Sequence, residues 1–307
     1  MSYLMSPVQK ARLTLDYLNA NGGELPEEVV DRFLIVTIKE SNFLSSVKTV
    51  KMNSRTYRVP TWEFGSRALH VRTRGQALSD ANRTTPTTAG PTITAYDYGA
   101  EIVLERENLE SGVEGAGMIN LIMRELMKRV KEDAAEIAIQ SSTVSADTDL
   151  VNFNGFHTAV VTNTAAAGTT RLSRTNATTL FKTVPSQFRG ANMTIRTSVN
   201  ALIDYSNSIG DRPTQLGDRA VGQWYDEWQG KKIIGDQEFP ETLAPGTNTI
   251  AVCSNEKNFC VGLHRQITAD NDKDIRAGTI FVVFTVRMGA AWAVEKAAAK
   301  LTGILAS

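Results

Sequence analysis

The chain has 307 residues, 42% of them hydrophobic and 21% charged, so it can bury a substantial core in one large or two ordinary domains. Thirty-three basic residues balance thirty-three acidic ones, which argues against a protein that lives on non-specific phosphate binding. Two cysteines cannot build a disulfide framework. No apolar run reaches the ~18 residues of a membrane span, and the start lacks a basic-then-apolar leader pattern. The expectation is a soluble, cytoplasmic chain without membrane partners.

In chain order, residues 7 to 20 read as a short amphipathic helix with Val8, Ala11, Leu15 and Leu18 on one side, stopped by Asn21, Gly22 and Gly23. A second short helix is expected over residues 26 to 33. From 46 to 94 the character changes. Val50 and Met52, Tyr57 and Val59, then Leu69, Val71 and Thr73 alternate with polar residues, and Arg55, Arg58, Arg67, Arg72 and Arg74 stud the stretch. It reads as a long two-stranded arm with too little apolar surface to pack inside a domain. Two isolated strands are marginal in water, so such an arm is expected to dock on a neighbouring molecule, unless it is an ordinary surface hairpin.

Tyr96, Tyr98, Ala100, Ile102 and Leu104 predict a strand. Residues 117 to 140 then carry the clearest signal in the sequence. Ile119, Ile122, Leu126, Val130, Ala134 and Ile137 recur at steps of three and four, Met123 and Met127 widen the stripe, and no proline interrupts it. At ~1.5 Å per residue this helix is roughly 35 Å long, enough to cross a domain. Beyond it, residues 162 to 170 read as an Ala/Thr-rich loop, 175 to 184 as a helix ended by Pro185, 193 to 196 as a strand and 198 to 207 as a helix. Residues 210 to 222 read as an exposed loop. Short strands are expected at 232–234, 249–253, 258–263 and 264–268, followed by a strand at 279–288 buried on both faces and a tail of small residues. Helices and strands alternate without βαβ regularity, so the class is α+β.

Motifs for chemistry are missing or broken. Asp270, Asp272 and Asp274 open like a calcium loop, but its sixth position is Ile275 and its twelfth Phe281, so a solvated acidic turn is the better reading. Gly230 and Lys231 lack the glycine of a phosphate loop, and Gly115 and Gly117 lack the dinucleotide-binding context. There is no nucleophile elbow and no His-Glu-x-x-His. His70, His157 and His264 lie far apart. Cys253 and Cys260 sit in predicted strands as buried thiols, and Trp62, Trp224, Trp228 and Trp292 suit cores or interfaces. No catalytic residue, cofactor or metal site is predicted.

The order of these elements resembles the major capsid protein of tailed double-stranded DNA bacteriophages, over nearly the whole chain. The resemblance rests on the N-terminal arm from Gly22, the Arg/Thr-rich loop and the strand and acidic turn before the long helix. It also rests on Phe153-Asn-Gly-Phe, on Phe188-Arg-Gly-Ala-Asn-Met-Thr-Ile-Arg and on the closing Phe281-Val-Val-Phe-Thr-Val-Arg-Met-Gly-Ala-Ala-Trp. It implies the Hong Kong 97-type capsid fold. The implied parts are an N-terminal arm (1–45), an extended loop (46–94) and a peripheral domain (95–171) holding a spine helix (116–140). An axial domain (172–274) and a return to the peripheral domain (275–307) complete it.

The resemblance further implies hexamers and pentamers in an icosahedral head around double-stranded DNA, contacted weakly and without sequence preference. Assembly would take place in the bacterial host cytoplasm with separate scaffolding, portal and decoration proteins. On this resemblance the extended loop would meet a neighbour through Arg55, Arg58, Trp62, Arg72 and Arg74. Glu125, Glu132 and Glu136 of the spine would be carboxylate partners. Some members begin with a cleaved segment of about a hundred residues; here the arm starts within the first few dozen, which favours a separate scaffold. An encapsulin-like compartment shell of the same fold, or a soluble enzyme with an unrecognised site, are the competing expectations. Nucleic acid inside the particles separates the first of these from a phage head, and a small oligomer with a ligand pocket marks the second.

Overall fold

The computed structural model describes residues 12–13, 42–63, 69–71, 74–77, 79–82, 87–105, 118–190, 192–210, 226–243, 248–274 and 276–306. Two sheets organise them. The first has five strands in the order β1-β7-β14-β13-β2, with β1 Arg12–Leu13, β2 Lys48–Lys51, β7 Tyr96–Glu105, β13 Phe259–Asp274 and β14 Thr279–Trp292. β7 pairs antiparallel with β14 along its whole length, from Glu105 opposite Thr279 to Tyr96 opposite Met288. The long helix predicted from the apolar stripe is present as α2, Met118–Gln140; a four-residue helix, α1 (Phe43–Ser46), precedes β2. α2 lays Ile122, Met123, Leu126 and Val130 on Ala100, Ile102, Leu104, Val282 and Phe284 of the sheet.

The second sheet has six strands in the order β10-β11-β9-β12-β15-β8. These are β8 Thr164–Thr170, β9 Thr194–Ser198, β10 Glu227–Trp228, β11 Lys231–Asp236, β12 Asn248–Ser254 and β15 Ala299–Leu305. Helices α3 (Arg174–Thr183) and α4 (Val199–Gly210) cover it, over a core that includes Leu172, Leu180, Ile195, Tyr205, Trp228 and Leu301. Ser173 caps α3 by accepting from the Asn176 N–H at 3.4 Å. Between the sheets, Phe156 meets Phe43, Phe259 and Trp292 at centroid distances of 5.2, 5.2 and 4.8 Å, and the Trp292 indole N–H donates to the Phe156 carbonyl.

The extended loop is a ribbon of two short antiparallel pairs. β3 (Thr56–Arg58) pairs with β6 (Thr92–Thr94), and β4 (Thr61–Glu63) with β5 (Thr87–Ala89). Its root is not coreless, contrary to the compositional expectation. Met52, Val59, Ile93 and Ala95 are buried together against Cys260. Glycines make that crossing feasible: a Cβ on Gly289 would lie 2.1 Å from the Thr94 oxygen, and one on Gly262 2.4 Å from the Met52 sulfur.

Several local expectations are corrected. Residues 12–13 are a strand rather than helix, because the free edge of β7 offers Val103 and Leu104 as backbone partners. The rest of both expected N-terminal helices and the loop at 211–222 fall outside the described residues. Most of the Ala/Thr stretch at 162–170 is strand β8, Thr164–Thr170, paired parallel to β15 at the edge of the sheet. Positive φ at Gly168 (65°) and Thr169 (61°) accompanies the register shift there. The strands expected at 258–263 and 264–268 are one strand, β13, broken in register on either side of Arg265 rather than in the chain. The acidic residues 270–274 are paired in β13 opposite 279–283, not a turn; the turn follows, with Gly278 at φ 63°. β14 is fully buried on one face only, since Phe281, Val283, Thr285 and Arg287 remain half-buried on the other.

Candidate intersubunit surfaces

The two cysteines and His157 are buried rather than displayed. Burial pushes the Cys253 thiol up to about 12 and raises Cys260, and it drives His157 down to about 4 with help from the Lys300 charge. Among the described residues no group of His, Cys, Asp and Glu side chains is arranged to hold a metal ion.

The ribbon displays its cations. Arg55 is exposed, with its Nε donating to the Ala95 carbonyl at 3.3 Å, and Arg58 is exposed on β3 opposite Thr92. Trp62 lies on β4 opposite Thr88. Arg74 is exposed beside Gly75 (φ 85°) at the ribbon tip, and Arg72 lies outside the described residues. Leu69 and Val71, not singled out from the sequence as contact residues, are 88% and 98% exposed. Their alternation with polar neighbours was the available signal.

The spine carboxylates have partners on their own helix. Lys128 reaches Glu125 at 3.0 Å, while Arg129 reaches Glu132 at 3.5 Å and Asp133 at 3.0 Å. Glu136 accepts a long 3.5 Å bond from Gln140. Burial, reinforced by the Asp133 charge, raises the Glu136 carboxyl above its ordinary range. Glu136 lines a groove of about 630 Å³ between the second half of α2 and β7, together with Asp97, Arg129, Asp133, Asp147 and Asp149. The seven predicted contact residues that are described therefore form two separate sets, one on the ribbon and one on the helix.

Arg196 holds the ribbon root to the second sheet. Its side chain is 2% exposed and donates to Asp236 at 2.6 Å, Glu256 at 3.0 Å and Ser46 Oγ at 2.6 Å, and its guanidinium lies 5.2 Å from the Phe43 ring centre. Ser46 and Phe43 belong to α1, which leads directly into β2, so the loop leaves the body from a fixed point.

Comparison with known proteins completes the picture. No family model matches the chain. The Bacillus subtilis (strain 168) prophage protein YqbE, provisionally named a capsid protein, is 25% identical over 304 residues, 97% of each chain. The capsid of a native GTA particle superposes with a TM-score of 0.70 at 14% identity, covering 95% of this chain and 99% of that one. The chain has the Hong Kong 97-type capsid fold. Gordonia phage Cozz (TM-score 0.63, 11% identity, 94% of both chains) shares this capsid fold. So does the SrpI encapsulin of Synechococcus elongatus PCC 7942 (0.65, 12%, 96% and 98%). The chain is thus similar end to end to a protein provisionally named a prophage capsid protein, and it shares the fold that the resemblance implied.

Proposed function

We propose that this capsid protein assembles as hexamers and pentamers into the icosahedral head of a tailed phage, enclosing double-stranded DNA. The observation that carries the reading is the end-to-end relationship to a prophage capsid protein, joined to capsid folds that match the chain over its length. The five-stranded body with α2 then serves as the peripheral domain and the six-stranded body as the axial domain, which moves 259–274 to the peripheral side and 164–170 and 299–305 to the axial side of the boundaries expected from the sequence. The ribbon lies over a neighbour, and the N-terminal segment clasps an adjacent subunit. Balanced charge fits weak, non-specific contact with packaged DNA. Scaffolding, portal and decoration proteins act as separate partners, and assembly takes place in the cytoplasm of the bacterial host.

Electron microscopy of the purified protein tests this reading. Hollow multi-megadalton particles are expected, and a small oligomer under all assembly conditions would overturn it. The SrpI match favours a second reading, a compartment shell that encloses cargo protein. Double-stranded DNA extracted from native particles supports the phage head, and cargo protein without nucleic acid supports the compartment.

A further inference from the structure

Where the ribbon root crosses the first sheet, a cationic corner forms. The root lies over Gly262 of β13 and Gly289 of β14, which pair with each other. Two residues from Gly289, and so on the same face of β14, stands Arg287. It is paired with Asp97 of β7 on one side and with Arg265 of β13 on the other. Two guanidiniums directly opposite each other across a ladder repel. Asp97 is bonded to Arg287, whereas Arg265 is exposed and has no ion pair among the described residues.

β13 is deformed to reach this arrangement. Leu263 pairs with Met288 and Arg265 with Arg287, so His264 is an extra residue bulged against Arg287, and a second register shift follows before Thr268. Bulges re-aim side chains and concentrate beside functional sites. Here the His264 Nδ1 lies 3.3 Å from the Arg287 Nη1. A guanidinium only donates, so Nδ1 accepts and the imidazole N–H at Nε2 remains a donor. Arg55, at the ribbon root, donates through Nε to the Ala95 carbonyl, two residues before Asp97, and adds a third guanidinium. The bond to Arg287 holds the Asp97 carboxyl below its ordinary range against desolvation, with the charges of Arg287, Arg55 and Arg265 adding to the effect.

Three guanidiniums against one carboxylate leave a cationic surplus. The acidic groove does not cancel it. That groove is lined by Phe284 and Val286, which face away from Arg287 on β14, and His264 and Arg265 lie a strand beyond, on β13. A phosphate group fits the surplus, with a charge of about −1.5 to −2 at pH 7 and three strong acceptor oxygens. Guanidinium forks match its geometry. A carboxylate has two oxygens, fewer than the donor groups gathered here.

We propose that Arg55, His264, Arg265 and Arg287 form a binding site for a phosphate group, in the corner between the ribbon root and the first sheet. An oxyanion there bridges Arg265 and Arg287 and relieves their repulsion. The proposal goes beyond the capsid reading and stands without it. The group comes from the free phosphate ion or from a nucleic-acid backbone, and the test separates the two.

Isothermal titration of the full chain with inorganic phosphate, at an ionic strength held constant with chloride, tests the site. Saturable binding is expected, weakened about tenfold or more by Arg265→Gln, as the loss of a charge-assisted hydrogen bond requires. Lys232→Gln removes an exposed cation from the second sheet instead and should leave the affinity unchanged. Thermal unfolding of the wild-type chain gives a readout that needs no variant: phosphate should raise the midpoint above that in chloride of equal ionic strength. No saturable binding at millimolar phosphate, equal affinity in the wild type and Arg265→Gln, or equal midpoints in the two salts would overturn the proposal. A short DNA duplex then identifies the source. Duplex binding that is tighter than phosphate binding and equally sensitive to Arg265→Gln assigns a nucleic-acid backbone. Phosphate binding that depends on Arg265, with duplex binding absent or indifferent to it, assigns the free ion.

Discussion

Arg196 shows how a single residue can matter for reasons invisible along the chain. Its partners lie 40, 60 and 150 positions away, at Asp236, Glu256 and Ser46. Burial raises the Asp236 carboxyl even though Arg196 lies against it, so desolvation offsets much of the attraction and the node specifies geometry more than it adds stability. Removing one partner is another matter. Arg196→Met leaves two carboxylates without their cation and is expected to cost about 3–5 kcal/mol in guanidinium denaturation. His157 makes a prediction about pH. Its native pKa of about 4 lies below the ordinary 6.5, so on acidification the unfolded chain takes up a proton that the native one refuses. Stability should fall as pH drops from about 6.5 toward 4, by about 3 kcal/mol from this group, and level off below. Urea melts at a series of pH values, with His157→Gln giving the flatter profile, check it.

At the scale of elements, periodicity was enough where an element owns its burial. The 3.6-residue stripe of α2 and the alternation of β7 were both readable, because each repeats against one continuous apolar surface. β8 was not readable. Ala and Thr carry weak preferences, and its strand form depends on Lys300, Leu301 and Thr302 being presented by β15, more than 130 residues later. The two-residue β1 is the same case at smaller scale, a strand because β7 presents Val103 and Leu104 as backbone partners. The ribbon root gives the sharpest test of packing. Gly289→Ala pushes a methyl group to within 2.1 Å of the Thr94 oxygen, where backbone must shift. A loss of about 1–3 kcal/mol is expected from thermal unfolding, as for other overpacked sites. Gly99→Ala, which meets only the Phe284 oxygen at 3.7 Å, should cost less.

For the whole molecule, the division is between a packed body and a projecting tip. The body is packed on itself, its aromatic cluster joining both sheets. The tip exposes Leu69 and Val71, and under the proposed function the assembled shell is where they are covered. Limited trypsin digestion should therefore cut free subunits at Arg74 while sparing the body, and assembled particles should resist at that site. Equal cleavage in both states would show that the tip stays in solvent after assembly. The predicted contact residues divide along the same line. The ribbon arginines were legible as a run of cations, whereas the core at the ribbon's root and the pairing of Glu125 and Glu132 within their own helix needed side-chain geometry.

By itself the sequence determined the class of the fold, the spine helix, the arginine-studded arm and the resemblance to phage capsid proteins. Those features rest on local periodicity, composition and element order, which any stretch of chain carries with it. Only the tertiary structure decided which strands share a sheet, that Arg196 ties the arm's root to the second sheet, and that an acidic groove lies between α2 and β7. Each of these brings together residues tens to hundreds of positions apart, and their meeting is fixed by burial and backbone pairing of the whole chain rather than by any segment's own preference.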